Sequence, residues 1–306
     1  KAYKKKGYVN FCPKCETVLS NEDSQGGKCD RCGSDVLQVN RDVWFLKMRE
    51  YADKLLGNVD RIEMAENLKE AQRNWIGKSE GIELNLDLVD DDNNKIEDLK
   101  IFTTCIETVY GITFVVLAPE HDLVEKLAKN IKNIEQVKEY QEKTALKSEF
   151  DRISQVKNKT GCELKGVYAI NPVTKAKVPV YLADFVLCGY GTGAVMAVPS
   201  HDQRDYEFAE LFNIPKIQVI EGDVSKNAVE KLEYLEKNSK MLNSGEFSGL
   251  PVREAKKKIA EMVINKGYGK KVINYKMQDW PFNRQRYWGE PFPVVFCDKC
   301  GVVPLN

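Results

Sequence analysis

Two Cys-x-x-Cys pairs, Cys12/Cys15 and Cys29/Cys32, stand thirteen residues apart near the start of the chain, and they constrain its local fold more than any other feature. Thiolates from two such knuckles converge tetrahedrally on a metal. Pro13 inside the first pair and Gly33 just after the second supply the turns that wrap backbone around an ion. The expected ion is zinc, in a structural role. Two disulfides are the alternative, but Cys105, Cys162 and Cys188 are single thiols in a long chain without an apolar signal segment. They favour a reducing, cytoplasmic compartment. A third knuckle, Cys297/Cys300, has no second pair after it and reads as half of a further zinc site or as two free thiols.

At roughly 150 residues per domain, 306 residues suggest two domains, or one with attachments. The 46 basic and 46 acidic residues cancel, which removes the overall basic bias of a nonspecific nucleic-acid binder and leaves room for a local basic patch. Mean hydropathy is −0.45 and no apolar run reaches the roughly 18 residues of a bilayer crossing, so no membrane partner is expected. Because the chain begins at Lys1, we expect a piece of a longer protein.

Residues 1–41 are rich in Lys, Cys and Gly with little periodicity, so a metal rather than a core is expected to hold them as a small zinc-ribbon-like module. Over residues 42–57, Val43, Trp44, Phe45, Leu46, Met48, Tyr51, Ala52, Leu55 and Leu56 recur at helical spacing, which predicts an amphipathic helix and a helical connection reaching residue 80. The period then switches to two. Ile82, Leu84, Leu86 and Leu88 alternate with polar residues, a turn-rich stretch covers Asp90 to Asn94, and Ile101 and Phe102 follow, which predicts a hairpin. Further strands are expected at 112–117, 167–170, 178–187 and 194–198, and helices at 122–132, 134–153, 203–213, 225–237 and 252–266. After Gly267 and Gly269 an extended tail is expected, with Trp280, Arg284, Arg286, Tyr287 and Trp288. The fold class is mixed α/β, with hairpins and short helices.

The densest chemistry lies in GYGTGAVMAVPSHDQRDYEFA, residues 189–209. Gly189, Gly191 and Gly193 let backbone approach a ligand, and a buried strand leads to Pro199. Ser200 and Gln203 fit a capping box, and Asp202 and Asp205 then sit on one face at the start of the helix. Carboxylates there are biased to stay ionised and can hold a cation such as a substrate ammonium. Pairing with Arg204 or capping of the helix is the plainer reading of both. The glycine spacing G-x-G-x-G precedes the strand and lacks a following Gly-Lys-Ser/Thr, which argues against a phosphate loop. His121 and His201 are the only histidines and neither adjoins a nucleophile elbow, which disfavours Ser-His-Asp chemistry.

Thr103, Thr104 and Thr108 form a second cluster at the end of the hairpin. Hydroxyls there can orient a water or shape a pocket, although threonine is also a good strand residue. Residues 279–289 interleave aromatics with two arginines, a pattern that suits stacking and phosphate contact and equally suits structural cation–π pairs.

GTGAVMAVPSHDQRDYEFA (191–209), RNWIGKSEG (73–81), CPKCETVLSNE (12–22), NSGEFSGL (243–250) and NRQRYWGEPFPVVFCDKCGVVP (283–304) occur in the order of bacterial-type leucyl-tRNA synthetase and cover nearly the whole chain. The chain resembles that family. Valyl and isoleucyl enzymes share RQRYWG, but their counterpart of HDQRD reads differently. The resemblance implies a zinc module at 1–41, a helical connection of the catalytic domain at 42–80, and an inserted editing domain at 81–282. At 283–306 it implies a return to the class I catalytic domain with half of a second zinc knuckle. The signatures HIGH and KMSKS belong outside this chain, so ATP would be bound only by the full-length enzyme.

The implied activity is hydrolysis of the ester of a mischarged amino acid on the acceptor end of leucine tRNA, a second sieve needed because apolar pockets discriminate methylenes poorly. By resemblance, Asp205 anchors the substrate ammonium, Thr103 and Thr104 position the ester and a water, and Thr108 blocks leucine. Tyr190, Met196 and Val198 line the side-chain pocket, supported by His201, Asp202 and Arg204. The family writes the threonine segment TTRPDT, whereas here it reads Thr103-Thr104-Cys105-Ile106-Glu107-Thr108. Losing the arginine, the proline and the shorter carboxylate changes the loop's rigidity and charge pairing, which implies reduced or altered proofreading. A silent tRNA-positioning module and a valyl- or isoleucyl-type editor are the alternatives.

Overall fold

A computed structural model describes residues 1–20, 22–145, 147, 152, 159–188, 191–224, 239–281 and 294–304. The chain divides into two compact units, Lys1–Lys47 with Asp279–Asn306, and Met48–Gln278.

In the first unit, strands β1 (Ala2–Cys12) and β3 (Leu37–Leu46) pair antiparallel from Ala2↔Leu46 to Phe11↔Leu37. The short β2 (Thr17–Leu19) lies on the other edge of β1. Val9, Val18 and Val43 are buried between the strands with Phe11, Val39 and Phe45 against them, so this segment has a small apolar core beside its cysteines. That corrects the expectation of a segment held by metal alone. It also corrects the helix predicted from residue 42, because Val43, Trp44 and Phe45 belong to β3. β-Branched and aromatic residues suit a pleated surface, and pairing with the eleven-residue β1 overrides their accidental helical spacing.

The second unit begins with helices α1 (Ala52–Asn58) and α2 (Glu66–Ile76), which share a small core of Ala52, Val59, Ile76 and Met277. Gly77, in the left-handed region at φ 56°, ends α2 and turns the chain into β4. β4 (Lys78–Val89) and β5 (Lys95–Thr103) form the predicted hairpin, paired from Ile82↔Thr103 outward. Burial follows the period of two: Ile82, Leu84, Leu86 and Leu88 are all buried.

The sheet continues through β6 (Phe114–Leu117), β7 (Gly161–Ile170), β8 (Lys177–Ala183) and β9 (Ala194–Ala197) in the order β4-β7-β8-β6-β9. Among the described residues, β6 and β8 are the one parallel pair. Helices α3 (Asp122–Lys126), α4 (Ile134–Ala145), α5 (Gln203–Phe212) and α6 (Val252–Asn265) accompany it. α6 buries Val252, Ala255, Ile259 and Val263, a stripe at helical spacing that joins the main core.

The segment after Gly267 is not a free tail. β10 (Gly269–Tyr275) runs antiparallel along β4 from Gly269↔Leu84 to Tyr275↔Lys78 and extends the sheet. In the first unit, β11 (Trp280–Pro281) then pairs with β3, and β12 (Val294–Cys297) with β13 (Gly301–Pro304) forms the hairpin of the third knuckle. The helix expected at 225–237 and the residues Arg284, Arg286, Tyr287 and Trp288 lie outside the described residues.

Candidate functional site

Thr103 closes β5, and its hydroxyl accepts the Cys105 backbone N–H at 3.0 Å, folding the chain into a tight turn. The next residues make a short 3-10 helix, Ile106–Gly111. Thr108 is fully buried, and its hydroxyl donates to the Cys105 carbonyl at 2.8 Å while its backbone N–H donates to the same oxygen at 3.1 Å. Thr103 is buried and Thr104 is exposed. Both hydroxyls that shape the turn are thus engaged by backbone, while the Thr104 hydroxyl lies at the exposed surface, 3.7 Å from the Cys105 sulfur.

After β9, His201 and Asp202 fold back on the Val198 carbonyl, and Asp202 becomes the N-cap of α5. Its carboxylate accepts the backbone N–H groups of Arg204 and Asp205 at 2.8 and 3.2 Å. This corrects the predicted Ser200–Gln203 capping box. The turn closes two residues later than expected, Ser200 is buried, and the Gln203 amide donates to Glu207 instead.

Asp205 is 3% exposed, and its carboxylate accepts the Val198 backbone N–H at 2.8 Å. Burial, reinforced by the charge of Asp202, pushes its carboxyl well above the usual carboxylate range. The expected bias toward ionisation therefore fails in the absence of a cation, because the helix N-terminus cannot offset removal from water. A buried, reluctant carboxylate is suited to a cation that arrives with a ligand.

His201 is buried as well, and its Nε2 accepts the backbone N–H groups of Val219 and Ile220 at 2.9 and 3.3 Å. Nε2 is therefore the bare nitrogen and Nδ1 carries the proton, with no hydrogen-bond partner among the described residues. Burial holds His201 down at about 4. Met196 and Val198 are buried, Arg204 is exposed beside Asp202, and Tyr190 lies outside the described residues.

One core joins the two halves of the site: Ile101, Ile106 and Val109 from the threonine side, Met196 and Val198 from the other. β5 lies against β9, and a Cβ at Gly191 would stand 4.0 Å from the Phe102 Cβ. At Gly193 a side chain is excluded twice over, by φ 71° and by His121 Cδ2 at 3.1 Å from its would-be Cβ.

His121, to which sequence reading gave no role, holds this glycine loop. Its Nδ1 accepts the Leu123 N–H, capping α3, so Nε2 carries the proton and donates to the Thr192 carbonyl at 3.1 Å. A histidine directly before Asp-Leu-Val-Glu was the available signal, since an N-cap acceptor is expected there.

The four N-terminal cysteines meet as predicted. Their sulfurs all lie within 4.8 Å of one another, with Cys12–Cys32 at 3.4 Å and Cys15–Cys29 at 4.0 Å. A tetrahedron with metal–sulfur bonds of about 2.3 Å has edges of roughly 3.8 Å, whereas a disulfide would need about 2.05 Å. The Cys15 backbone N–H also donates to the Cys12 sulfur at 3.3 Å. This quartet could hold a metal ion, and it is the one such cluster among the described residues. At Cys297, the backbone N–H groups of Cys300 and Lys299 pull the thiol below its ordinary range.

A family model described as the leucyl-tRNA synthetase editing domain matches residues 73–264. The leucine–tRNA ligase of Alkaliphilus oremlandii is 42% identical over 305 residues, taking in 99% of this chain and 37% of that protein. That of Fervidobacterium nodosum is 47% identical, over 99% of this chain and 36% of its own length. Among solved structures, the ternary complex of Agrobacterium radiobacter K84 agnB2 LeuRS with tRNA and LeuAMS superposes with a TM-score of 0.77 at 31% identity. It covers 100% of this chain and 34% of that one. The chain thus spans little more than a third of the length of the curated relatives it matches. With the threonine turn, the glycine loop and the Asp205 helix all inside the matched span, the chain belongs to the leucyl-tRNA synthetase editing-domain family.

Proposed function

We propose that this chain hydrolyses the ester linking a wrongly attached amino acid to the acceptor end of leucine tRNA. The observation that carries it is Asp205, a buried carboxylate at the start of α5 beside the apolar strand of Met196 and Val198. A charged α-ammonium beside this carboxylate would stabilise its ionised form, the proton being released to solvent, so binding and ionisation reinforce each other. The Thr104 hydroxyl, exposed at the turn, orients the ester and a water. The water oxygen adds to the ester carbonyl carbon, the bond from that carbon to the ribose oxygen breaks, and the ribose oxygen takes up the proton that water gave up.

Thr103 shapes the turn, and Thr108, buried in its floor, excludes leucine. Met196 and Val198 form the side-chain pocket, while His201, Asp202 and Arg204 hold the backbone around Asp205. Cys12, Cys15, Cys29 and Cys32 would bind Zn2+, whose chemistry there is to cross-link two knuckles. The editing domain at 81–282 would be flanked by the helical connection at 42–80 and the catalytic return at 283–306, in a cytoplasmic synthetase whose other segments bind ATP. Relatives named as leucine ligases support the leucyl assignment over a valyl- or isoleucyl-type editor.

The test is release of amino acid from norvalyl- or isoleucyl-tRNA(Leu) by this chain without ATP, with leucyl-tRNA(Leu) as control. Selective release is expected. Binding of tRNA without release would establish instead a silent positioning module.

A further inference from the structure

The threonine turn is braced from outside itself. Residues 103–108 contain no cation, yet Glu107 within the turn is fully buried. Its Oε1 lies 3.3 Å from the Nζ of Lys256, 149 residues further along the chain on α6. Lys256 follows the buried Ala255 and stands beside the apolar stripe that locks α6 into the main core, with its own side chain one-third exposed. The carboxylate is therefore anchored to a rigid element of the domain rather than to a neighbour in the loop.

We propose that the Glu107–Lys256 ion pair is the clamp that positions Thr108, and through Thr108 sets discrimination against leucine. This rests on the hydrolytic reading above. Glu107 and Thr108 are consecutive in one 3-10 turn, and Thr108 is tied to the Cys105 carbonyl through both its backbone N–H and its hydroxyl. Displacing Glu107 must rotate that turn and move the Thr108 side chain. A buried carboxylate that loses a neighbouring cation is driven to move toward water. Lys256 is thus a positioning residue.

The experiment compares kcat/KM on norvalyl-tRNA(Leu) and leucyl-tRNA(Leu) for the wild-type chain, Lys256→Met, Lys256→Arg and the double variant Glu107→Gln/Lys256→Met. Lys256→Met is expected to raise the leucyl-to-norvalyl ratio by roughly fivefold or more, the scale of a coupled pair. Lys256→Arg, which keeps the charge, should restore the wild-type ratio. The double variant removes the pair without leaving a charged Glu107 beside the missing Lys256, and it should also raise the ratio more than twofold, though no further than the single variant. If Lys256→Met fails to fold, that neutral double variant is read in its place.

A merely structural pair would lower the unfolding temperature and leave the ratio within twofold of wild type, and that result overturns the proposal. A wild-type chain inert on both substrates overturns the hydrolytic reading and this one with it. An active wild type with an unchanged ratio in the variants overturns the clamp alone.

Discussion

The Asp205 carboxylate accepts the backbone N–H of Val198 at 2.8 Å, seven residues back, where β9 hands over to the turn before α5. That bond fixes a side chain whose ionised form burial disfavours. The sign of the linkage follows. Because the folded state keeps a proton that the unfolded chain releases at its ordinary value, Asp205 detracts from stability as pH rises above that value. Asp205→Asn keeps an acceptor for Val198 and removes the charge problem. It should abolish release of amino acid while raising stability at pH 7, on the order of 1 kcal/mol. Kinetics and thermal melts on the same preparation check both: an active variant contradicts the ammonium role, and an unstabilised one contradicts the burial penalty on the ionised carboxyl.

Thr108→Ala makes the complementary case. Removing a fully buried hydroxyl group and methyl frees the Cys105 carbonyl of one donor and opens space in the floor of the turn. Release from leucyl-tRNA(Leu) should rise by roughly tenfold, the scale at which a pocket distinguishes one methyl-sized group. The cost in stability should be about 1 kcal/mol. An unchanged rate on the leucyl substrate would remove Thr108 from the specificity role.

Much of this was legible in the residues and some could not be. The β4–β5 hairpin followed from strict alternation at Ile82, Leu84, Leu86 and Leu88, and the cysteine quartet from spacing alone. Val43 to Leu46 misled because a short continuous apolar run fits the start of the helical pattern that continues to Leu56 as well as it fits a strand, until its partner β1 is known. The protonation of Asp205 depends on how completely α5 is covered, which no local pattern encodes. Lys256 was invisible for the same reason: the residue it neutralises is 149 positions away.

Metal content gives an independent test of the first unit. The chain should carry about one zinc, retained through gel filtration and lost in a Cys12→Ala/Cys29→Ala double variant, because the two buried cysteines come from different knuckles. Chelation should loosen β1–β2 near Cys12 first and spare the Val9–Val43 core, which hydrogen exchange would resolve. A metal-free chain with unaltered exchange at Cys12 contradicts the zinc assignment.

His201 sets a pH window for the Asp205 side of the site. It is held near 4 by burial, against 6.5 for a free histidine, so between those values the unfolded chain takes up a proton that the folded one refuses. Stability from this group is intact above pH 6.5 and falls as the pH drops toward 4, by on the order of 3 kcal/mol across the window. The bonds at risk are those from Val219 and Ile220, since a protonated Nε2 can no longer accept them. Denaturant unfolding at pH 7 and pH 4.5 should show the wild type losing more than His201→Gln, whose amide oxygen accepts from the same backbone without titrating. Equal losses in the two proteins would mean that the histidine is not buried neutral, and that residues 219–220 are held by something else.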